Sequence, residues 1–486
     1  MSADLKNKFV FQLLSGASQV LVPLLTYPYI TRILGPANLG KINYVDFLAQ
    51  MFIVFAAFGI PFYAIREVAM VRNEPTKKAA LVKEMLLLHA AFTLFAMIAF
   101  CWATYPRWHD EFWLYAFALL NIFFSVFTVD WYLQGMEAFQ FSATRYLLVR
   151  STVVVCFFLF IHDAQHYTRY FAIHSCGLFV MAFLNSRKLW QETDWRKSSL
   201  QIKRHLKPLW HFFLTASAIT LYIYFDTVLL EKITGNNTIV GYYTTAVKLV
   251  KVFLVGLLAL GTVLLPRLSF LVSEGKLAEV KMHLQNNLAF IFVIGIPIST
   301  GIIFIAPEIM EAIAGKEFIA AYPLLQIMAA LPLVIACSNL FCFQTLVPFK
   351  QEKKFLVVVA SGCVVSIALN LLLIPFWGAA GSAWANLITE TLIALFAAWF
   401  AHRVIPFDLP LKLLFQTLAC SAIFIPIIWG IRQFTQHPYL IFAFAIVLCT
   451  LCYYLAQRVI FKNAILITIE RYIGKFIRNK KENKTT

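Results

Sequence analysis

Apolar residues run in long blocks from Phe9 to Phe461, with short polar breaks between them. Each block has the roughly 20 residues that a helix needs to cross the hydrocarbon layer of a bilayer. The pattern predicts spans at 9–34, 39–65, 79–104, 111–135, 143–161, 167–188, 209–231, 239–266, 285–306, 320–347, 355–375, 378–401, 413–432 and 439–461. The expected fold class is an all-α polytopic membrane protein of about 14 transmembrane helices, since in lipid a helix satisfies its backbone polar groups within one segment.

Composition agrees. The chain is 61% hydrophobic and 13% charged, with a mean hydropathy of +0.76, where soluble domains carry roughly 25% charged residues. No polar stretch is long enough to bury a core of its own; the longest interior break is 187–208. At the N-terminus Lys6 and Lys8 lead into an apolar run too long for a signal-peptide h-region, so the first run reads as the first span. All nine cysteines lie inside apolar runs, which suits small buried hydrophobes and not a disulfide framework. Cys449 and Cys452 form a lone CxxC, but its place within a span argues against redox work.

Charge orients the spans. An even number puts both termini on one side. The opposite side holds Arg32, Lys41, Arg107, Arg169, Lys232, Lys316 and Arg432, and Lys248 and Lys251 sit within a span; the rest of the 41 lysines and arginines share the side of the termini. That side is expected to be cytoplasmic. The net charge of +17 is thereby accounted for by loops and a tail (471–484) that face anionic headgroups, and no nucleic-acid partner is expected.

The chain also repeats itself at about 200 residues. Arg32-Ile33-Leu34-Gly35, Gly40, Gly59 and Arg66 are echoed by Lys232-Ile233-Thr234-Gly235, Gly241, Gly261 and Arg267; Gln134 and Ser151 are echoed by Gln344 and Ser361. The order of spans matches, which predicts two six-helix lobes with a pseudo-twofold repeat, an N-lobe at 1–207 and a C-lobe at 208–405. Residues 406–486 add two C-terminal helices and the basic tail. An even number of spans per lobe makes the repeats parallel, related by an axis along the membrane normal, an arrangement that suits alternating access.

The segment LLTYPYITRILGPANLGKINYVDFLAQMFIVFAAFGIPFYAIREVA (24–69) resembles the N-terminal signature of Wzx-type polysaccharide flippases, members of the multidrug/oligosaccharidyl-lipid/polysaccharide exporter superfamily. WYLQGMEAFQFSATRYLLVRS (131–151) and GAAGSAWANLITE (378–390) resemble its fourth-to-fifth span junction and its twelfth span. The resemblance implies a multi-pass protein of the bacterial cytoplasmic (inner) membrane with both termini cytoplasmic. It implies flipping of an undecaprenyl-diphosphate-linked oligosaccharide to the periplasmic leaflet for O-antigen or capsule synthesis. Partners would be that lipid, the membrane, a coupling ion (proton or sodium) or the membrane potential, and a polysaccharide polymerase and glycosyltransferases. Two other readings stand beside it: a drug/cation antiporter of the same superfamily, and a membrane O-antigen polymerase. The antiporters usually have twelve spans. A polymerase would be expected to present a larger outer loop, and no Gly-rich phosphate loop, HExxH or GxSxG occurs, so neither an enzyme nor a cofactor or metal site is expected.

Moving a diphosphate and a sugar through hydrocarbon requires polar groups inside spans, where they are costly and face a cavity or a partner. Lys248 and Lys251 share one helical face with Gly241, Thr244 and Val255. They read either as a diphosphate site or as partners of Asp226, which lies at similar depth across the Gly235 turn. Asp226 is the first candidate for ion coupling; Asp130, Glu231, His174 and Glu390 are the other ionisable groups in or near spans. Arg32 reads equally as a phosphate contact or as a side chain snorkelling to headgroups. Asn43, Asp46 and Gln50 form one polar stripe, and Gln12, Ser15, Gln19 and Thr26 another; each reads as cavity lining or as interhelical hydrogen bonding. Pro23 and Pro28 predict a helix able to bend.

Overall fold

The computed structural model describes residues 3–193 and 200–461, with side chains from Thr26 onward except at 215, 219, 259, 260, 262 and 263. Among the described residues there are helices and no strands. In chain order they are α1 (Ala3–Ala57), α2 (Ile60–Val71), α3 (Pro75–Thr104), α4 (Trp108–Ser125), α5 (Asp130–Gly135), α6 (Phe139–Phe160), α7 (Tyr167–Glu192), α8 (Lys203–Thr234), α9 (Asn237–Ser273), α10 (Leu277–Ile309), α11 (Tyr322–Ile327), α12 (Leu331–Phe341), α13 (Glu352–Trp377), α14 (Ala379–Val404), α15 (Leu411–Ala422), α16 (Phe424–Phe434) and α17 (Pro438–Leu455).

Contacts divide the chain into two compact units, Met1–Thr244 and Thr245–Thr486. In the first, α1 packs against α3, α4, α6 and α8, and α2 against α3, α5 and α8. In the second, α10 packs against α11, α12, α15, α16 and α17, while α13 and α14 form a hairpin that also meets α12. Phe95, Trp102 and Phe434 are among many large apolar side chains that point outward, as lipid-facing residues do, because lipid tails are as apolar as they are. Ten stretches of the described residues are long and apolar enough to cross a membrane, or eleven if a bent pair in α8 is one span. The expected count was about fourteen. The 61-residue stretch Pro75–Gly135 holds three helices, so the ten are continuous apolar runs and do not count crossings.

Several expected spans are broken, each for a physical reason. α1 joins two helices across Gly35 (φ 70°), at the loop expected between the first two spans. The second expected span stops at Phe58 and Gly59, both with positive φ (43° and 78°). A Cβ on Gly59 would lie 2.5 Å from the backbone nitrogen of Phe213, so glycine lets α8 pass close. The expected span 111–135 breaks at Val129, whose φ is 32°, a conformation that a β-branched residue rarely adopts. Side chains of α7 satisfy the carbonyls this exposes: Ser186 Oγ donates to Phe127 O at 3.2 Å, and Asn185 Nδ2 donates to Thr128 O. The run Lys316–Leu346 alternates 3-10, α and π turns, with Pro323 and Pro332 unable to donate to the preceding turns.

Candidate functional site

Helix α8 ends at Gly235, whose left-handed backbone (φ 60°) lets its N–H reach Glu231 O at 2.8 Å. Asn236 then caps the start of α9, its Oδ1 accepting the N–H of Thr238 at 2.9 Å. This tight turn lays α9 back along α8 and sets two of their side chains together. Asp226 is buried; its Oδ1 accepts the Thr227 N–H at 2.6 Å and its Oδ2 accepts the Tyr243 hydroxyl. On α1, Asn43 is buried and its Nδ2 donates to Thr244 Oγ1 at 2.8 Å, while that hydroxyl donates to Val240 O at 2.9 Å. One and two turns further along the same face of α1 stand Asp46 and Gln50, both half-buried. Asp46 Oδ1 is buried with no hydrogen-bond partner among the described residues, and Tyr170 of α7 and Tyr224 of α8 lie within its electrostatic reach.

Arg32 is exposed and interacts with other residues. Lys248 and Lys251 fall in the second unit, on the part of α9 beyond Thr244. Lys248 is half-buried and engaged, and Lys251 is exposed. Glu390 is buried in α14. Gln19 lies outside the described side chains, as do Gln12 and Ser15.

A second polar group emerges that the sequence pattern did not assemble. Beside the Gly35 break within α1, a recess of about 280 Å³ is lined by residues that include Lys41, Tyr44, Arg107, Asp110, Glu111, Tyr115 and Glu231. Arg107 Nη1 meets Glu231 Oε1 at 2.7 Å, with its guanidinium over the Tyr44 ring, 5.0 Å from the centroid. Lys41 pairs with Glu111, which also accepts the Tyr167 hydroxyl at 2.9 Å. Arg107 reads in sequence as a loop charge and Glu111 as the first residue of the span 111–135, and nothing in their spacing points to Glu231 or Lys41.

The second unit carries a different surface. Phe253, Pro297, Ile302, Phe424, Ile446, Cys449 and Tyr453 are among the residues lining an apolar cavity of about 330 Å³ between α10, α16 and α17. Tyr453 turns its hydroxyl away to Val293 O, 2.7 Å. Deeper in the unit Asn287 Nδ2 donates to Gln344 Oε1 at 2.6 Å. All nine cysteines are free. The chemistry offered is that of binding: buried hydrogen-bonding groups, carboxylates with tyrosine neighbours, and an apolar groove. Among the described residues no group of three metal-ligating side chains comes together.

The sequence family described as "Polysaccharide biosynthesis protein" matches residues 5–272, and that described as "Lipid II flippase MurJ" matches residues 176–450. Two relatives, each named "Putative O-antigen transporter", come from Shigella dysenteriae and Escherichia coli (strain K12). They are 22% identical to this chain, over 80% of it and 98% of the Shigella protein, and over 82% of it and 97% of the E. coli protein. Among solved structures, a lipid II flippase MurJ in an inward closed conformation superposes with a TM-score of 0.74 at 15% identity, covering 94% of this chain and 100% of the other. An inward-facing multidrug resistance MATE family transporter of the MOP superfamily gives 0.64 at 14% identity, covering 80% and 94%. These relatives are named as transporters and flippases, and the fold is theirs. The chain belongs to the polysaccharide biosynthesis protein family, as a Wzx-type member of the multidrug/oligosaccharidyl-lipid/polysaccharide exporter superfamily.

Proposed function

We propose that this protein flips an undecaprenyl-diphosphate-linked oligosaccharide repeat unit across the bacterial inner membrane, by alternating access between two lobes at 1–207 and 208–405. The observation that carries the reading is the set of polar side chains held inside membrane helices: Asp226 with Tyr243, Asn43 with Thr244, and Asp46 with an unpartnered oxygen. Such groups are expensive in lipid and mark a polar pathway. The apolar cavity beside α16 and α17 suits the other half of an amphiphile, a hydrocarbon chain. Relatives named for O-antigen and for lipid II support this reading.

In this reading Lys248 and Lys251 supply counter-charge for the diphosphate, with Arg32 at the membrane surface. Asn43, Asp46, Gln50 and Gln19 offer hydrogen bonds to sugar. Asp226, a buried carboxylate on a helix that must move, couples the cycle to a proton or sodium gradient or to the membrane potential. Both termini lie in the cytoplasm. The test is made in the source bacterium with this gene deleted and the other surface-glycan genes intact. A complete lipid-linked repeat unit should accumulate while surface polymer disappears. Normal surface glycan with a new drug sensitivity would favour the antiporter instead, and single unpolymerised units at the surface would favour the polymerase.

A further inference from the structure

Helices α13 and α14 pack closely as a hairpin: a Cβ on Gly362 would lie 2.3 Å from Ile393 Cδ1. One end of this hairpin gathers cations. Lys350, Lys353 and Lys354 stand at the start of α13, and Arg403 stands at the end of α14. The Lys354 ammonium lies over the Phe400 ring, 5.8 Å from its centroid, and the Arg403 guanidinium lies over the Trp399 indole at 3.8 Å. Among the described residues none of these cations forms an ion pair; Asp408, just beyond α14, is held by Lys281, and Glu352 is the one acid in 350–354. Cations brought together on two packed helices repel one another, and an anion among them would relieve that repulsion.

Each helix also carries an exposed apolar stripe that starts at one of these cations. Counting on from Lys353, Leu356, Val357 and Val364 fall on one face of α13; counting back from Arg403, Trp399, Leu395, Leu392 and Ile388 fall on one face of α14. All of these apolar side chains are exposed. Lys354 reaches the Phe400 ring between the two stripes, so both stripes lie on the same side of the hairpin. We propose that this face binds an anionic phospholipid, with its phosphate among Lys350, Lys353, Lys354 and Arg403 and its two acyl chains along the two stripes. The arginine fork matches phosphate oxygens in pairs, and the lysines add point charge. Clustered basic groups beside membrane helices are the chemistry that recognises anionic headgroups, and Trp399 marks the level of the interface. The paired stripes select the occupant: a glycerophospholipid brings two chains, whereas a polyprenyl phosphate brings one and free phosphate none. On the proposed topology this end of the hairpin is cytoplasmic, so the lipid is drawn from the inner leaflet.

The test titrates the full chain in detergent micelles with palmitoyl-oleoyl phosphatidylglycerol and, separately, with the phosphatidylcholine of the same chains. Native mass spectrometry reads the affinity for the first lipid bound. The parent should prefer the anionic lipid by about tenfold; equal affinity would overturn the site. Combining Lys350→Gln, Lys353→Gln, Lys354→Gln and Arg403→Gln should bring the preference to within about twofold. Combining Arg72→Gln, Lys77→Gln, Lys207→Gln and Lys276→Gln removes the same charge elsewhere and should leave at least about fivefold. Equal loss in both, or a preference kept by the first combination, would overturn the assignment. Arg403→Gln alone, a milder change should the combination not fold, should cost about threefold; no change would count against the site. Undecaprenyl phosphate and inorganic phosphate should each fail to displace phosphatidylglycerol. Displacement by the first would make the occupant a single-chain lipid, and by the second a free anion, and either result would overturn the proposal. None of these readings requires export, so a protein that moves no lipid-linked oligosaccharide would fault the proposed function and leave the phospholipid site standing.

Discussion

Glu84 of α3 is fully buried and gathers the start of α8 onto the first unit. Its Oε1 accepts the Gln201 N–H, and its Oε2 accepts Arg204 Nη2 at 2.9 Å and His205 Nε2–H at 2.7 Å. With that tautomer, assigned from the partners, His205 Nδ1 accepts the Tyr63 hydroxyl at 2.8 Å. Glu84→Ala removes the acceptor of all three donors. A hydrogen bond to a charged group contributes about 1.5–3 kcal/mol, and a buried donor left without an acceptor costs about 1–3 kcal/mol. The Arg204 share is discounted, because that side chain is 50% exposed and screened by water, and bonds within one network do not add. The net expectation is a loss of about 3 kcal/mol, a shift of roughly a hundredfold in the folding equilibrium. Denaturation of the purified protein in mixed micelles, followed by tryptophan fluorescence, measures it. Glu67→Ala, which removes only the contact with the exposed Arg66, should cost under about 0.5 kcal/mol. A double-mutant cycle with His205→Ala should return a coupling of about 1–2 kcal/mol. A Glu84→Ala protein within about 0.5 kcal/mol of the parent, or a coupling near zero, would refute the reasoning.

Three further outcomes are expected. Lys248→Ala combined with Lys251→Ala should cut export at limiting substrate by at least about a hundredfold, since two charge-assisted contacts to a diphosphate are lost; full export by a well-expressed double variant would remove both residues from the site. Asp226→Asn keeps the side-chain shape but not the charge, so cargo binding should stay within about threefold while gradient dependence disappears; unchanged gradient dependence in a vesicle assay argues against coupling through Asp226. Asp408, in the connection between α14 and α15, accepts a hydrogen bond from Lys281 at 3.0 Å, and that bond and charge hold its carboxyl below the usual value of 3.8. A lowered folded pKa means the contribution is fully present above the unfolded value of 3.8 and is lost as pH falls from there through the lower folded value. The stability gap between parent and Asp408→Asn should therefore be constant from about pH 5 to about pH 8 and close in stronger acid; a gap that opens only at neutral pH would contradict it.

The helical architecture was readable because lipid makes the rule simple: a long apolar block must be a helix. Glycine marked the Gly35 and Gly235 turns in advance. The break at Val129 was not readable, since nothing in a β-branched residue announces positive φ; it depends on Asn185 and Ser186 arriving from α7 to take the exposed carbonyls. Within the site, the polar stripes on α1 and α9 were visible as spacing, but their partners were not. The depth argument that offers Lys248 as a partner of Asp226 also selects Tyr243, which stands about as far after the Gly235 turn as Asp226 stands before it; a pattern read for charge does not single out the neutral hydroxyl. The Arg107–Glu231 pair joins a short connection to a helix end more than a hundred residues away, and only packing brings such residues together.

The glycines matched between the two halves of the sequence serve in two different ways. Gly40 and Gly241 touch each other's turns, so a mutation in one half is felt at once by the other, and the two positions can drift only as a pair. Gly59 and Gly261 are matched in the same way in the sequence but have separate occupations. Gly59 bends the chain under α8, whereas a Cβ on Gly261 would lie 2.1 Å from the Gln344 amide nitrogen. Identity at the first pair is enforced by contact, and identity at the second is a coincidence of two unrelated demands for space, so in distant relatives the second pair is the one expected to come apart.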